Sequence, residues 1–182
     1  MSSKHGGHPK ALTKTKELCV YTALRAADVE FEYQKHFPFK SCGLDSEKKC
    51  AFADFAIYAP WGAILLEVDE FMHIHDDATC DVRRDYDIIA SISLGSAHKV
   101  AILRYNPDSF RVDGKNMRVP TKDRQRRLIE VLREWLLDDP APERQLARFF
   151  LYYDWHSDSR LPVVAKYWQC EEAREISSVL SM

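Results

Sequence analysis

Three acidic residues, Asp54, Glu67 and Asp69, lie within or directly after two short apolar runs, Ala51 to Tyr58 and Ala63 to Val68. Ala59-Pro60-Trp61-Gly62 separates the runs, and proline second with glycine fourth suits a type I turn, so the spacing predicts a β-hairpin. With Pro60 and Trp61 at its tip, Asp54 falls directly opposite Glu67. Opposed side chains in a sheet have Cβ atoms ~4.5–5.5 Å apart, and like charges there are destabilising. Alternation adds Asp69 to the same face, while Phe55, Ile57, Ile64, Leu66 and Val68 fill the other. Hard carboxylate oxygens grouped in this way suit Mg²⁺ or Mn²⁺. A solvated face would carry the same residues, and the pattern alone does not choose between the two.

His73 follows four residues after Asp69, with His75, Asp76 and Asp77 beyond it. A histidine beside a metal–carboxylate group can act as general base or leaving-group acid, because its ordinary pKa of ~6.5 suits proton transfer near neutrality. For His75 an exposed loop position is the better reading, and for His73 both readings stand. A zinc or iron cluster of His73, His75 and Cys80 is disfavoured by the carboxylates around it.

The flanking pattern predicts the elements that must position these groups. A helix fits from Thr15, with Leu18, Tyr21, Thr22 and Arg25 on one side and Val20 and Leu24 extending the stripe. Val29 to Phe37 alternates as a strand, and Pro38 to Lys49 is a polar loop. A helix is expected over about 79–92, then a buried strand from His98 to Tyr105. After an irregular stretch, Thr121 can N-cap a long helix to about Leu137 whose apolar positions keep 3.6 periodicity, and Pro140 and Pro142 end it. Leu146 to Tyr153 reads as a strand and Glu171 to Leu180 as a last helix. Interleaved sheet and helices make the class α/β or α+β around one mixed sheet.

Taken together, Asp54-Phe55, Glu67-Val68-Asp69-Glu70, His73, Cys80-Asp81-x-x-Arg84 and Arg104-Tyr105-Asn106-Pro107-Asp108 resemble a nuclease family of the PD-(D/E)XK superfamily. The likeness is to the branch of very short patch repair and homing-type endonucleases, with relatives in giant viruses and protists. Lys16-Glu17 in the first helix matches that family's opening block, and the resemblance covers about residues 14–112. It implies a restriction-endonuclease-like α/β fold, a mixed central sheet flanked by helices. It also implies a Mg²⁺-dependent (or Mn²⁺-dependent) phosphodiesterase acting on DNA, with metal held by Asp54 and Glu67 and with Glu17 and His73 assisting. Asp69 occupies the place of the superfamily's lysine and becomes a ligand or a partner of one. Ala53 for proline and Met72 for glutamine are further departures. A catalytically lapsed relative that binds nucleic acid or a protein partner is the alternative.

DNA contact falls to cations. Lys16, Lys122, Arg126 and Arg127 are the candidates, although a basic run on a helix is more often a solvated face. Arg84 fits an ion pair with Asp81 better than a phosphate contact. Trp155-His156 and Tyr167-Trp168 could stack on a base or cap the C-terminal core. The chain has 182 residues, with 26 Lys+Arg against 28 Asp+Glu and 46% hydrophobic content. That predicts one globular domain over 15–182 behind a flexible basic tail, 1–14. No apolar run approaches the ~20 residues of a membrane span, and the amino-terminal residues lack the apolar core of a signal peptide. Five scattered cysteines without a C-x-x-C pair favour a reducing, intracellular compartment, cytoplasmic or nuclear. Oligomeric state stays open, a homodimer included.

Overall fold

A computed structural model of the chain describes residues 15–38, 50–70, 99–154 and 165–168. In chain order the elements are α1 (Thr15–Ala26), β1 (Glu32–Pro38), β2 (Cys50–Ala59), β3 (Gly62–Val68), β4 (Lys99–Tyr105), β5 (Phe110–Val112), β6 (Lys115–Met117), α2 (Thr121–Leu137), β7 (Leu146–Leu151) and β8 (Ala165–Trp168). Six strands form one mixed sheet in the order β1-β2-β3-β4-β7-β8. The pairs from β1 to β3 are antiparallel, and those from β3 to β8 are parallel. The protein is therefore mixed α/β.

The β2–β3 hairpin has the expected register, from Ala59↔Gly62 through Ile57↔Ile64 to Phe55↔Leu66. Gly62 closes its turn for a reason beyond turn preference. A Cβ there would lie 2.2 Å from the Lys99 carbonyl oxygen, so only glycine lets β4 start so close to β3. The Trp61 indole N–H donates to the Trp135 carbonyl at 2.6 Å and ties the hairpin tip to α2.

One apolar cluster unites α1 and α2 with one face of the sheet. Val20, Leu24, Leu128, Val131, Leu132 and Trp135 pack with Phe55, Ile57, Ile64, Leu66, Leu103 and Phe149. A smaller cluster, Phe37, Ala53, Ala56, Leu65, Val100 and Ile102, covers the other face. β3 is consequently buried along its whole length.

Several expectations are corrected. The buried side of α1 is Glu17, Val20 and Leu24, whereas Leu18, Thr22 and Arg25 are exposed. A carboxylate inside an apolar stripe breaks the hydrophobic pattern and hides the true face. α2 starts at Thr121 as expected, but the cap position is Pro120 and no side chain caps it, so Thr121 is the first helical residue. β1 begins at Glu32 rather than Val29, and β7 stops at Leu151 because Tyr152 takes a left-handed φ of 66°. The stretch read as irregular holds the β5–β6 hairpin, turned through Asp113 and Gly114 at φ 46° and 75°. Asp-Gly between short strands is a recognised hairpin signal. β8, which nothing in the apolar pattern announced, is the sheet's outer parallel strand. The expected tail 1–14, the helix over 79–92 and the final helix lie outside the described residues.

Candidate functional site

The sheet brings acids together. Asp54 in the middle of β2, Glu67 near the end of β3 and Asp69 just past it are joined by Glu17 from α1. Their relative exposures are 8%, 8%, 3% and 1%. These values exclude the solvated-face reading of the hairpin acids. Aspartate and glutamate are almost never this buried unless they are paired.

A local defect in β1 and β2 aims Asp54. Tyr33↔Phe55 and Lys35↔Ala53 pair on either side, while Gln34, between them, takes a left-handed φ of 50°. Ala53 and Ala56 both join the smaller cluster, so strict alternation breaks at Asp54. The β2–β3 ladder ends at Phe55↔Leu66, and beyond it the Asp54 carboxylate accepts the Val68 backbone N–H at 2.9 Å. Its other oxygen accepts the Gln34 amide at 3.2 Å. The same amide nitrogen donates to Glu17 Oε1, which also accepts the Tyr33 hydroxyl at 2.8 Å. Two buried carboxylates from different elements thus reach one nitrogen.

On the β4 side, register sets Glu67 beside Arg104. The Arg104 Nε–H donates to Asp69 Oδ2 at 2.5 Å, and the Tyr153 hydroxyl donates to the same oxygen. Burial, and then the Asp69 charge, push the Tyr153 phenol far above its ordinary range, so it stays a neutral donor. The Asp69 backbone N–H donates to the Tyr105 carbonyl at 2.9 Å. Asn106, fully buried, staples the next strand end. Its Nδ2 donates to the Tyr152 carbonyl at 2.7 Å and its Oδ1 accepts the Asp108 N–H at 2.8 Å. Asp108 in turn pairs with Lys16, whose backbone N–H reaches Glu70 at 3.2 Å. Asp69, Asn106 and Tyr153 all follow the carboxyl ends of parallel strands, the end at which open α/β sheets place ligands.

Of the residues singled out by sequence, the structure brings Glu17 to Asp54 and Asp69 to Arg104. His73 and Arg84 lie outside the described residues. Lys16 is tied to Asp108. Lys122 and Arg126 are exposed on α2, where Arg126 pairs with Asp123 at 3.2 Å and Arg127 with Glu130 at 3.1 Å. The helix run is thus largely self-paired. Sequence reasoning missed Gln34 and Tyr153 and gave Arg104 and Asn106 no role. No local signal marks Gln34, because a strand reading gives it an ordinary alternate position.

Among the described residues no three His, Cys, Asp or Glu side chains converge as a ready metal site. No described helix is long and apolar enough to cross a membrane. No family model, curated protein or solved structure matches the chain.

Proposed function

We propose that the chain is a metal-dependent DNA endonuclease of the PD-(D/E)XK kind, hydrolysing phosphodiester bonds at the buried carboxylate cluster. The observation that carries the reading is the burial of Glu17, Asp54 and Glu67, with Glu17 and Asp54 sharing one amide donor. Desolvated carboxylates are costly, and a hard divalent cation offsets that cost better than any neutral group.

In this reading Asp54 and Glu67 hold Mg²⁺ or Mn²⁺, which when bound acidifies a water and neutralises charge on the scissile phosphate. Gln34 and the Val68 N–H fix the Asp54 carboxylate, and Tyr33 with Gln34 fixes Glu17. Arg104 supplies, from β4, a positive charge beside Glu67 where the resemblance places a lysine on β3. Asp69, engaged by Arg104 and Tyr153, positions that guanidinium. His73 keeps the proton-transfer role that the resemblance implies.

The test is a supercoiled-plasmid assay with Mg²⁺ or Mn²⁺ against EDTA, run beside Asp54→Ala and Glu67→Ala. Metal-dependent cleavage lost in both variants is the expected result. Cleavage that survives in both removes the site. No cleavage by the wild type supports the second reading, a catalytically inactive nuclease-fold protein that binds nucleic acid or a protein partner. What favours that reading is the Asp69 carboxylate, held by Arg104 and Tyr153 at a position where the superfamily has a catalytic cation.

A further inference from the structure

Residues 111–126 hold six Lys/Arg and two Asp, a net +4 in a chain whose total is -2, which leaves -6 for the rest. These residues run through the β5–β6 hairpin into the first turns of α2. Arg111, Lys115, Arg118, Lys122 and Arg126 are exposed. The side chains of Lys115, Arg118 and Lys122 have no hydrogen-bond or ion-pair partner among the described residues, unlike those of Arg126 and Arg127 further along α2. Three cations without a described side-chain partner thus fall within the eight residues from Lys115 to Lys122, in a chain whose overall charge is negative.

The hairpin is rigidly mounted. The Arg124 guanidinium clamps its base, donating from Nε to the Val119 carbonyl at 3.0 Å and from Nη1 to the Asp108 carbonyl. It also stacks over Phe110 and Tyr152, 5.6 Å from each ring centre. Phe110 is buried in the main cluster, with Val112, Met117 and Val119 packed against it. The Arg111 backbone N–H donates to Asp154 at 2.7 Å, and its Nε donates to Asn116 across the strands at 3.1 Å. Asp108, at the near end of the clamp, pairs with Lys16, the residue before buried Glu17. The backbone that carries these cations is therefore anchored, and it follows the carboxyl end of β4, the sheet end at which Asp69 lies beside Tyr105.

We infer that the β5–β6 hairpin and the first turn of α2 form a rail for the phosphate backbone of duplex DNA, with Lys115, Arg118 and Lys122 as its main contacts. The choice of DNA rests on the proposed nuclease function, but the rail requires no catalysis. Cations that meet phosphates release counterions from the duplex on binding, which makes affinity steeply salt-dependent and indifferent to sequence.

The experiment measures duplex DNA binding by the full chain in EDTA across a salt series, for the wild type and for Lys115→Glu/Arg118→Glu/Lys122→Glu. Thermal unfolding of both proteins checks that these exposed changes leave the fold intact. The expected result is that the triple variant binds at least about tenfold more weakly at low salt and that its log–log salt slope falls in magnitude by about 3. A second variant, Arg126→Glu/Arg127→Glu, should change the slope less, because those cations already face acids on α2. Unchanged affinity and slope in the triple variant overturn the rail. So does a wild type that binds anionic lipid vesicles or single-stranded RNA but not duplex DNA. Binding that behaves as expected while plasmid cleavage is absent leaves the rail standing and removes only the nuclease activity.

Discussion

Gln34 decides how the two buried carboxylates of α1 and β2 are held. It donates to both Glu17 and Asp54, and it sits in a left-handed backbone conformation that non-glycine residues seldom adopt. Gln34→Leu is expected to lower stability by about 1–3 kcal/mol in EDTA, the cost of leaving buried acceptors short of a donor. If a divalent cation binds these acids, added Mg²⁺ should return part of that loss in denaturant titrations, by ligand linkage to the native state. No Mg²⁺-dependent stabilisation of either the wild type or the variant would count against a metal there. Arg104 and Asp69 make a parallel case, with side chains only 13% and 4% exposed. Arg104→Met should destabilise by about 3–5 kcal/mol, because it takes the buried Asp69 carboxylate's neighbouring cation away. Pairing it with Asp69→Leu should recover much of the loss, as a double-mutant cycle by urea unfolding would show.

At the level of elements, the hairpin that carries Asp54 and Glu67 was legible before the fold was known. Proline and glycine punctuate it, its strands are apolar, and its register follows from a two-residue tip. The close approach that makes Gly62 necessary was not legible, since Lys99 is distant in sequence. Gly62→Ala is expected to cost about 2 kcal/mol or more, because the clash is with backbone that cannot rotate away. Its effect should appear as a lower unfolding midpoint and as faster amide exchange along β3 and β4. The β5–β6 hairpin was overlooked because three-residue strands are too short for periodicity to register, and only Asp113-Gly114 announces it. α1 was placed correctly and its face only in part, with Val20 and Leu24 buried as expected but Leu18, Thr22 and Arg25 exposed, since a helix that also buries Glu17 has no clean apolar stripe.

Over the whole molecule, two buried tyrosines link stability to alkaline pH. Burial pushes the phenols of both Tyr105 and Tyr153 far above their ordinary value of 10.0, and the Asp69 charge adds to the effect on Tyr153. Above about pH 10 the unfolded chain releases these protons while the folded chain keeps them, so the folded state loses stability as pH rises. Below that pH the contribution is fully present. Denaturant midpoints should therefore fall above pH 10, with tyrosinate absorbance from these two residues appearing together with unfolding. Tyr153→Phe should flatten the fall. The charge distribution belongs to this scale too, since a net charge of -2 conceals a basic hairpin and a buried acidic cluster.

The sequence by itself determined the α/β class, the β2–β3 hairpin with its register, and the bounds of α2, because each rests on contacts between residues near in the chain. It also marked Glu17, Asp54, Glu67 and Asp69 as acids worth following. Only the tertiary structure decided that these acids are buried and that Glu17 and Asp54 share the Gln34 amide. It alone decided that Arg104 and Tyr153 engage Asp69. Those facts depend on α1, β1, β4 and β7 meeting at one end of the sheet. Burial and hydrogen-bond partners are set there by packing between elements far apart in sequence, which local pattern does not encode.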